Sequence, residues 1–136
     1  DMGANDETVP VMPSGKGEMI LLVDDEENIR QVTQAALESS GYVVATANDG
    51  TEAISIFAQR HDEIAVILTD MAMPFMDGIA MIRAARKIDP NVRVIAMSGL
   101  ISADQAAELT ELNVKMRLPK PFTAEELLNA VSDILK

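Results

Sequence analysis

The chain has 136 residues, 48% of them hydrophobic and 24% charged, which fits one globular domain of common size. Its formal net charge of −11 argues against nucleic-acid binding by this domain and against anionic membrane surfaces, since both require a basic face. There are no cysteines, which excludes disulfides and thiolate metal sites, and no apolar run reaches the ~20 residues that a membrane-spanning helix needs.

Residues 1–17, DMGANDETVPVMPSGKG, are rich in Pro, Gly and small polar residues without a period, and read as a flexible linker or expression remnant. They lack the basic and apolar regions of a signal peptide, so a cytoplasmic location is the default expectation. Residues 18–136 form the domain. Met19 to Val23 is a continuous apolar run, as expected for a parallel strand covered on both faces. Ile29, Val32, Thr33, Ala36 and Leu37 then follow helical spacing, and Gly41 ends that helix. Tyr42 to Ala47 predicts a second strand, Asn48-Asp49-Gly50 a turn and helix start, and Ala53, Ile54, Phe57 and Ala58 the next helical stripe. Ile64 to Thr69 predicts a third strand, followed by a loop over Pro74 to Gly78 and a helix marked by Ile79, Ile82 and Ala85. Pro90 and Asn91 break it, and Val92 to Met97 predicts a fourth strand. Ser102 with Gln105 fits a capping box opening a helix through Leu112, Lys115 to Leu118 a weaker fifth strand, and Thr123 with Glu126 a second capping box before the stripe Leu127, Leu128, Val131, Ile134 and Leu135.

Strands alternating with helices imply an α/β, doubly wound parallel sheet with helices on both faces. In such sheets ligands bind at the carboxyl ends of the strands. There the sequence places Asp24 and Asp25 after the first strand, Asp70 at the end of the third, Ser98 at the end of the fourth and Lys120, flanked by Pro119 and Pro121, after the fifth. Three carboxylates in one cleft repel one another and need a cation to stay ionised together. An oxygen-only donor set suits Mg²⁺, Mn²⁺ or Ca²⁺ and not Zn²⁺. A lysine and a hydroxyl beside such a metal can bind a phosphoryl group.

The stretches Leu22-Val23-Asp24-Asp25-Glu26, Asp70-Met71-Ala72-Met73-Pro74-Phe75-Met76-Asp77-Gly78 and Leu118-Pro119-Lys120-Pro121-Phe122 together resemble the signature segments of response-regulator receiver domains, over roughly Glu18 to Lys136. The resemblance implies a flavodoxin-like (βα)5 three-layer sandwich with strand order 2-1-3-4-5. It implies that Asp70 is the nucleophile that becomes an aspartyl phosphate, with a phosphohistidine on a histidine kinase or histidine phosphotransfer domain as donor. Mg²⁺ would be held by Asp25 and Asp70, by Asp24 directly or through water, and by the backbone carbonyl of Ala72. Ser98 and Lys120 would each take a phosphoryl oxygen, and the Lys120–Pro121 bond would be cis. New phosphoryl oxygens would attract Ser98 and move its loop. Any homodimer would use the face made by the fourth helix, fifth strand and fifth helix, and the N-terminal stretch resembles the linker before the C-terminal receiver of a hybrid histidine kinase.

The sequence departs from that family in places. Arg117 stands three residues before Lys120, where receivers often carry an aromatic residue; a guanidinium does not bury cheaply, so Arg117 is expected to stay outside or to pair with an acid. Asn113-Val114 replaces a usual Gly-Ala pair, and the small Gly99 after Ser98 keeps the acceptor open. Blander readings exist for each residue: Asp24 and Asp25 as a solvated helix start, Asp70 as a turn residue, Lys120 as a surface lysine, Ser98 as turn chemistry. Asp77-Gly78 reads as a structural helix start and the nine methionines as core and loop filler. His61 is the lone histidine and reads as a surface residue, which excludes a Ser-His-Asp hydrolase. A phosphohydrolase of the haloacid-dehalogenase type would need an acid where Ala72 stands. A flavin carrier would need a first loop that welcomes phosphate, where this chain has Asp24, Asp25 and Glu26. A degenerate receiver acting only as a protein-binding module would require a steric block at the site.

Overall fold

A computed structural model describes residues 14–136 of the chain. Ten elements alternate: β1 (Met19–Val23), α1 (Glu27–Ser39), β2 (Val43–Ala47), α2 (Gly50–Arg60), β3 (Ile64–Asp70), α3 (Gly78–Ile88), β4 (Arg93–Ser98), α4 (Ala103–Glu111), β5 (Met116–Pro119) and α5 (Ala124–Ile134). The strands form one parallel sheet in the order β2-β1-β3-β4-β5, the order expected. The direction of winding reverses between β1 and β3, so a crevice opens at the carboxyl ends of those two strands.

Side chains of a strand point alternately to its two faces, and both faces here are covered. Leu21 and Val23 of β1 join Phe57 of α2 and Met81 and Ile82 of α3 in one apolar cluster. Ile20 and Leu22 join Leu37 of α1 and Leu127, Leu128 and Val131 of α5 in the other. Each fully buried side chain of this size contributes about 1.5–3 kcal/mol by leaving water. No helix among the described residues is long and apolar enough to cross a membrane.

Local chemistry starts most helices. Asp49, Asp77, Ser102 and Thr123 accept the backbone N–H of Glu52, Ala80, Gln105 and Glu126, and the latter two are complete capping boxes. The α1 stripe departs from expectation. Thr33 and Leu37 are buried, but Val32 is 71% exposed, because α1 turns the Thr33–Leu37 line to the sheet and leaves Val32 on its flank. Of the segment expected as a linker, residues 1–13 lie outside the described residues. Gly17 runs against the turn after α1, its N–H donating to the Gly41 carbonyl at 2.8 Å.

At the amino ends of β4 and β5, Arg86 of α3 ties three segments together. Its Nε donates to the Leu112 carbonyl at 3.0 Å and Nη2 to Asn113 at 3.3 Å, while Nη1 donates to the carbonyls of Pro90 and Val92. Charged hydrogen bonds of this kind outweigh neutral ones, so Arg86→Ala is expected to lower stability by about 2 kcal/mol. A urea titration checks this: the midpoint should fall with the slope unchanged, and an unmoved midpoint would refute it.

Gly78 opens α3 hard against the end of β3. A Cβ there would lie 2.6 Å from the Asp70 carbonyl oxygen and 2.8 Å from the Met71 Cα, and both are backbone atoms with no rotamer to give. Gly78→Ala is therefore expected to cost about 1–3 kcal/mol through overpacking, against alanine's better helix propensity. Equal thermal unfolding of variant and parent would show that the contact relaxes freely.

Candidate functional site

Val23 lies in register with Thr69, so the next residues, Asp24 and Asp70, stand side by side where β1 and β3 end. Asp24 is fully buried, Asp70 nearly so, and Asp25 is exposed. Carboxylate oxygens of all three lie within 4.8 Å of one another. Lys120 arrives from the far side of β4. Pro119 pairs with Ser98 in the sheet, and the Lys120 N–H donates to the Ser98 carbonyl at 2.7 Å. From there its Nζ donates to Asp24 Oδ2 and to Asp70 Oδ2, each at 3.2 Å. The Lys120–Pro121 bond is cis, as expected.

Burial pushes the Asp70 carboxyl above the ordinary aspartate range, and the Asp24 charge adds to this. Lys120 and the Ala72 N–H, 3.3 Å from Asp70 Oδ1, pull the other way without cancelling it. Burial alone would lower the Lys120 ammonium, but the Asp70 and Asp24 carboxylates more than reverse that and raise it. One ammonium against three carboxylates leaves an excess of negative charge in a sheltered cleft. The donors are all oxygen, and a hard divalent cation such as Mg²⁺ fits them in both charge and chemistry.

The remaining candidates fall around this centre. Ala72 is exposed on the loop after β3. Ser98 is buried at the end of β4, and among the described residues its hydroxyl makes no hydrogen bond to Asp70 or Lys120. A Cβ built on Gly99 meets nothing within 4 Å, so the cleft is open beside Ser98. Arg117 is exposed on β5 and forms no ion pair among the described residues. His61 sits apart, 3.2 Å from Asp62, with its ring near Phe57.

Three supporting contacts escaped the sequence reading. Arg30 Nη1 donates to the Asp24 carbonyl at 2.7 Å, the Glu26 N–H donates to Asp24 Oδ1 at 2.9 Å, and Thr69 Oγ1 donates to the Asp70 carbonyl at 2.9 Å. An arginine in the first turn of a helix carries no local signal that it reaches back to the strand end. A threonine inside an apolar strand is a signal, because a buried hydroxyl needs an acceptor.

The family model for the response regulator receiver domain matches residues 20–132. The chain is 36% identical over 118 residues to the sensor kinase CckA of Brucella abortus, covering 86% of this chain but only 12% of that protein. It is 34% identical over 118 residues to sporulation initiation phosphotransferase F of Bacillus subtilis, covering 87% of this chain and 94% of that one. A crystal structure of a response regulator receiver domain protein from Clostridium thermocellum matches with a TM-score of 0.81 at 35% identity, over 86% of this chain and 93% of that chain. With an acidic crevice closed by one lysine at the carboxyl edge of a 2-1-3-4-5 sheet, the chain belongs to the response regulator receiver domains of two-component signalling.

Proposed function

We propose that this domain accepts a phosphoryl group on Asp70 from a phosphohistidine of a histidine kinase or histidine phosphotransfer domain, and signals by the conformational change that follows. The reading rests on one observation: Lys120 Nζ lies 3.2 Å from Asp70 Oδ2 and from Asp24 Oδ2 in a cleft holding three carboxylates. An Asp70 oxygen attacks phosphorus as the bond from phosphorus to the histidine nitrogen breaks, and the imidazole leaves with a proton from solvent. The Lys120 ammonium, already at the acceptor oxygen, offsets charge on the phosphoryl oxygens. Asp24, Asp25, Asp70 and the carbonyl of Ala72 would hold Mg²⁺, for which Mn²⁺ or Ca²⁺ could substitute. When bound, that ion supplies further charge for in-line transfer.

Ser98 fits the receiving end of the switch. Its hydroxyl is uncommitted to the cluster, and its carbonyl already holds the Lys120 N–H, so a shift of Ser98 toward a phosphoryl oxygen is felt in the β4–α4 loop and in β5. A purely protein-binding role would need an obstructed cleft, and the empty space at Gly99 argues against one.

Incubation with Mg²⁺ and acetyl or carbamoyl phosphate should add the mass of one phosphoryl group. Asp70→Asn should abolish the gain, as should chelation of the metal. Sustained turnover of phosphate esters without a trapped adduct would instead indicate a hydrolase. Asp25→Asn should weaken Mg²⁺ binding by about tenfold or more, since even outer-shell losses at metal sites cost that much. Isothermal titration with Mg²⁺ reads this directly, and unchanged affinity would remove Asp25 from the ligand set.

A further inference from the structure

The loop between β3 and α3 displays a side chain that folding does not use. Of the three phenylalanines and one tyrosine, Phe57 and Tyr42 are buried and Phe122 packs against the α1–α5 cluster, whereas Phe75 is 93% exposed. Its backbone is unusual as well. Phe75 has φ of +67°, and the Met76 N–H donates to the Pro74 carbonyl at 2.8 Å, closing a three-residue turn about it. This left-handed γ-turn is a rare geometry, and glycine or asparagine adopts positive φ far more readily than a bulky side chain.

The neighbours explain the turn but not its occupant. Met73 and Met76 on either side both pack against the core, and Gly78 N–H closes the loop onto the Met71 carbonyl at 3.1 Å. Pro74 and Phe75, between the two anchored methionines, are both exposed. A solitary exposed apolar side chain is ordinary. An exposed ring that also carries a backbone penalty, where asparagine would remove both costs, is not accounted for by stability. The adjacent β4–α4 loop presents a second apolar side chain, Leu100, 101% exposed and two residues after Ser98.

Both loops leave the sheet at the edge where Asp70 lies. The Asp70 side chain is only 9% exposed. A histidine reaches past its backbone by one methylene and one ring, so a donor histidine arrives there only if its own protein surface settles onto these loops. A small phosphodonor needs no such contact. Resting on the reading of Asp70 as acceptor, we propose that Phe75, together with Leu100, is a recognition anchor for the phosphohistidine-bearing protein, seated in an apolar recess on that partner. Exposed aromatic anchors that become buried on association carry a large share of binding energy.

The test compares two donors on the same chain. Phosphoramidate is the small one. The protein donor is the autophosphorylated catalytic core, from a panel of histidine kinases, that transfers fastest to the wild-type chain. Phe75→Asn should unfold at the same temperature as wild type or higher, because asparagine suits the turn. Its rate with phosphoramidate should stay unchanged while kcat/KM with the kinase core falls about tenfold or more, as expected for a hot-spot ring. Phe75→Tyr should retain most of the transfer. Unchanged transfer from the kinase core to Phe75→Asn would overturn the proposal. So would a matching loss with phosphoramidate, which would place the residue's effect on the acceptor itself. Failure of the wild-type chain to take a phosphoryl group from phosphoramidate would instead sink the acceptor reading.

Discussion

Asp24 and Asp70 share a single ammonium, and much of the molecule is arranged so that they can. Carboxylates whose oxygens lie within 4.8 Å repel strongly once water is scarce, and Asp24 has no exposure at all. Pairing with Lys120 moderates this repulsion but does not make the cluster a net source of stability, because desolvating three charged groups costs about as much as their attraction returns. Lys120 lies 96 residues from Asp24 and 50 from Asp70 in sequence, so the contact forms only when β5 lies on β4, β4 on β3 and β3 on β1 in register. The site is a readout of the pairing of β1, β3, β4 and β5.

Around that centre, ordinary folding devices give way to the site. Four helices begin with a side-chain cap, but α1 does not: Glu26 occupies the cap position without a side-chain hydrogen bond. The carboxylate that would serve this turn belongs to Asp24, which takes the Glu26 N–H on one oxygen and Lys120 on the other. Arg30 then anchors the Asp24 backbone from within the same helix. Across the crevice, Gly78 lets α3 start directly against the Asp70 carbonyl, which sets the end of β3 against a helix with no side chain between. The end of β3 is thus held by backbone contacts, while the Asp70 carboxylate meets Lys120 and the Ala72 N–H.

The parts of this arrangement that local rules govern were legible in the sequence. Continuous apolar runs marked the buried parallel strands, and the pairs Ser102–Gln105 and Thr123–Glu126 marked two helix starts where capping boxes form. Alternation of strands and helices implied the layers, and the residues that follow each strand include Asp24, Asp25, Asp70, Ser98 and Lys120. What local rules do not govern was not legible. Helical spacing put Val32 on the apolar stripe of α1, but the tilt of the helix on the sheet decides which flank is covered, and Val32 lies outside. Arg86 carries no sequence signature because its partners are backbone carbonyls, two of them 26 and 27 residues away. The reach of Arg30 back to Asp24, six residues earlier, is hidden because its partner too is a backbone carbonyl.

The two ends of the sheet are built to different standards. At the amino ends of β4 and β5, Arg86 draws α3, the start of β4 and the α4–β5 turn together through four carbonyls. At the carboxyl ends the loops are open: Gly99 has empty space about it, Leu100 and Phe75 face solvent, and Phe75 holds a backbone conformation that its side chain disfavours. A chain selected only for stability would have the opposite preference at such positions, since each is a place where one substitution removes a cost. Local rules fail where another constraint is stronger. In this domain they fail at the α1 cap, at the acidic crevice and at Phe75, all on the edge that carries Asp70. These exceptions gather at one edge of the sheet, the edge through which the function proposed for Asp70 would be exercised.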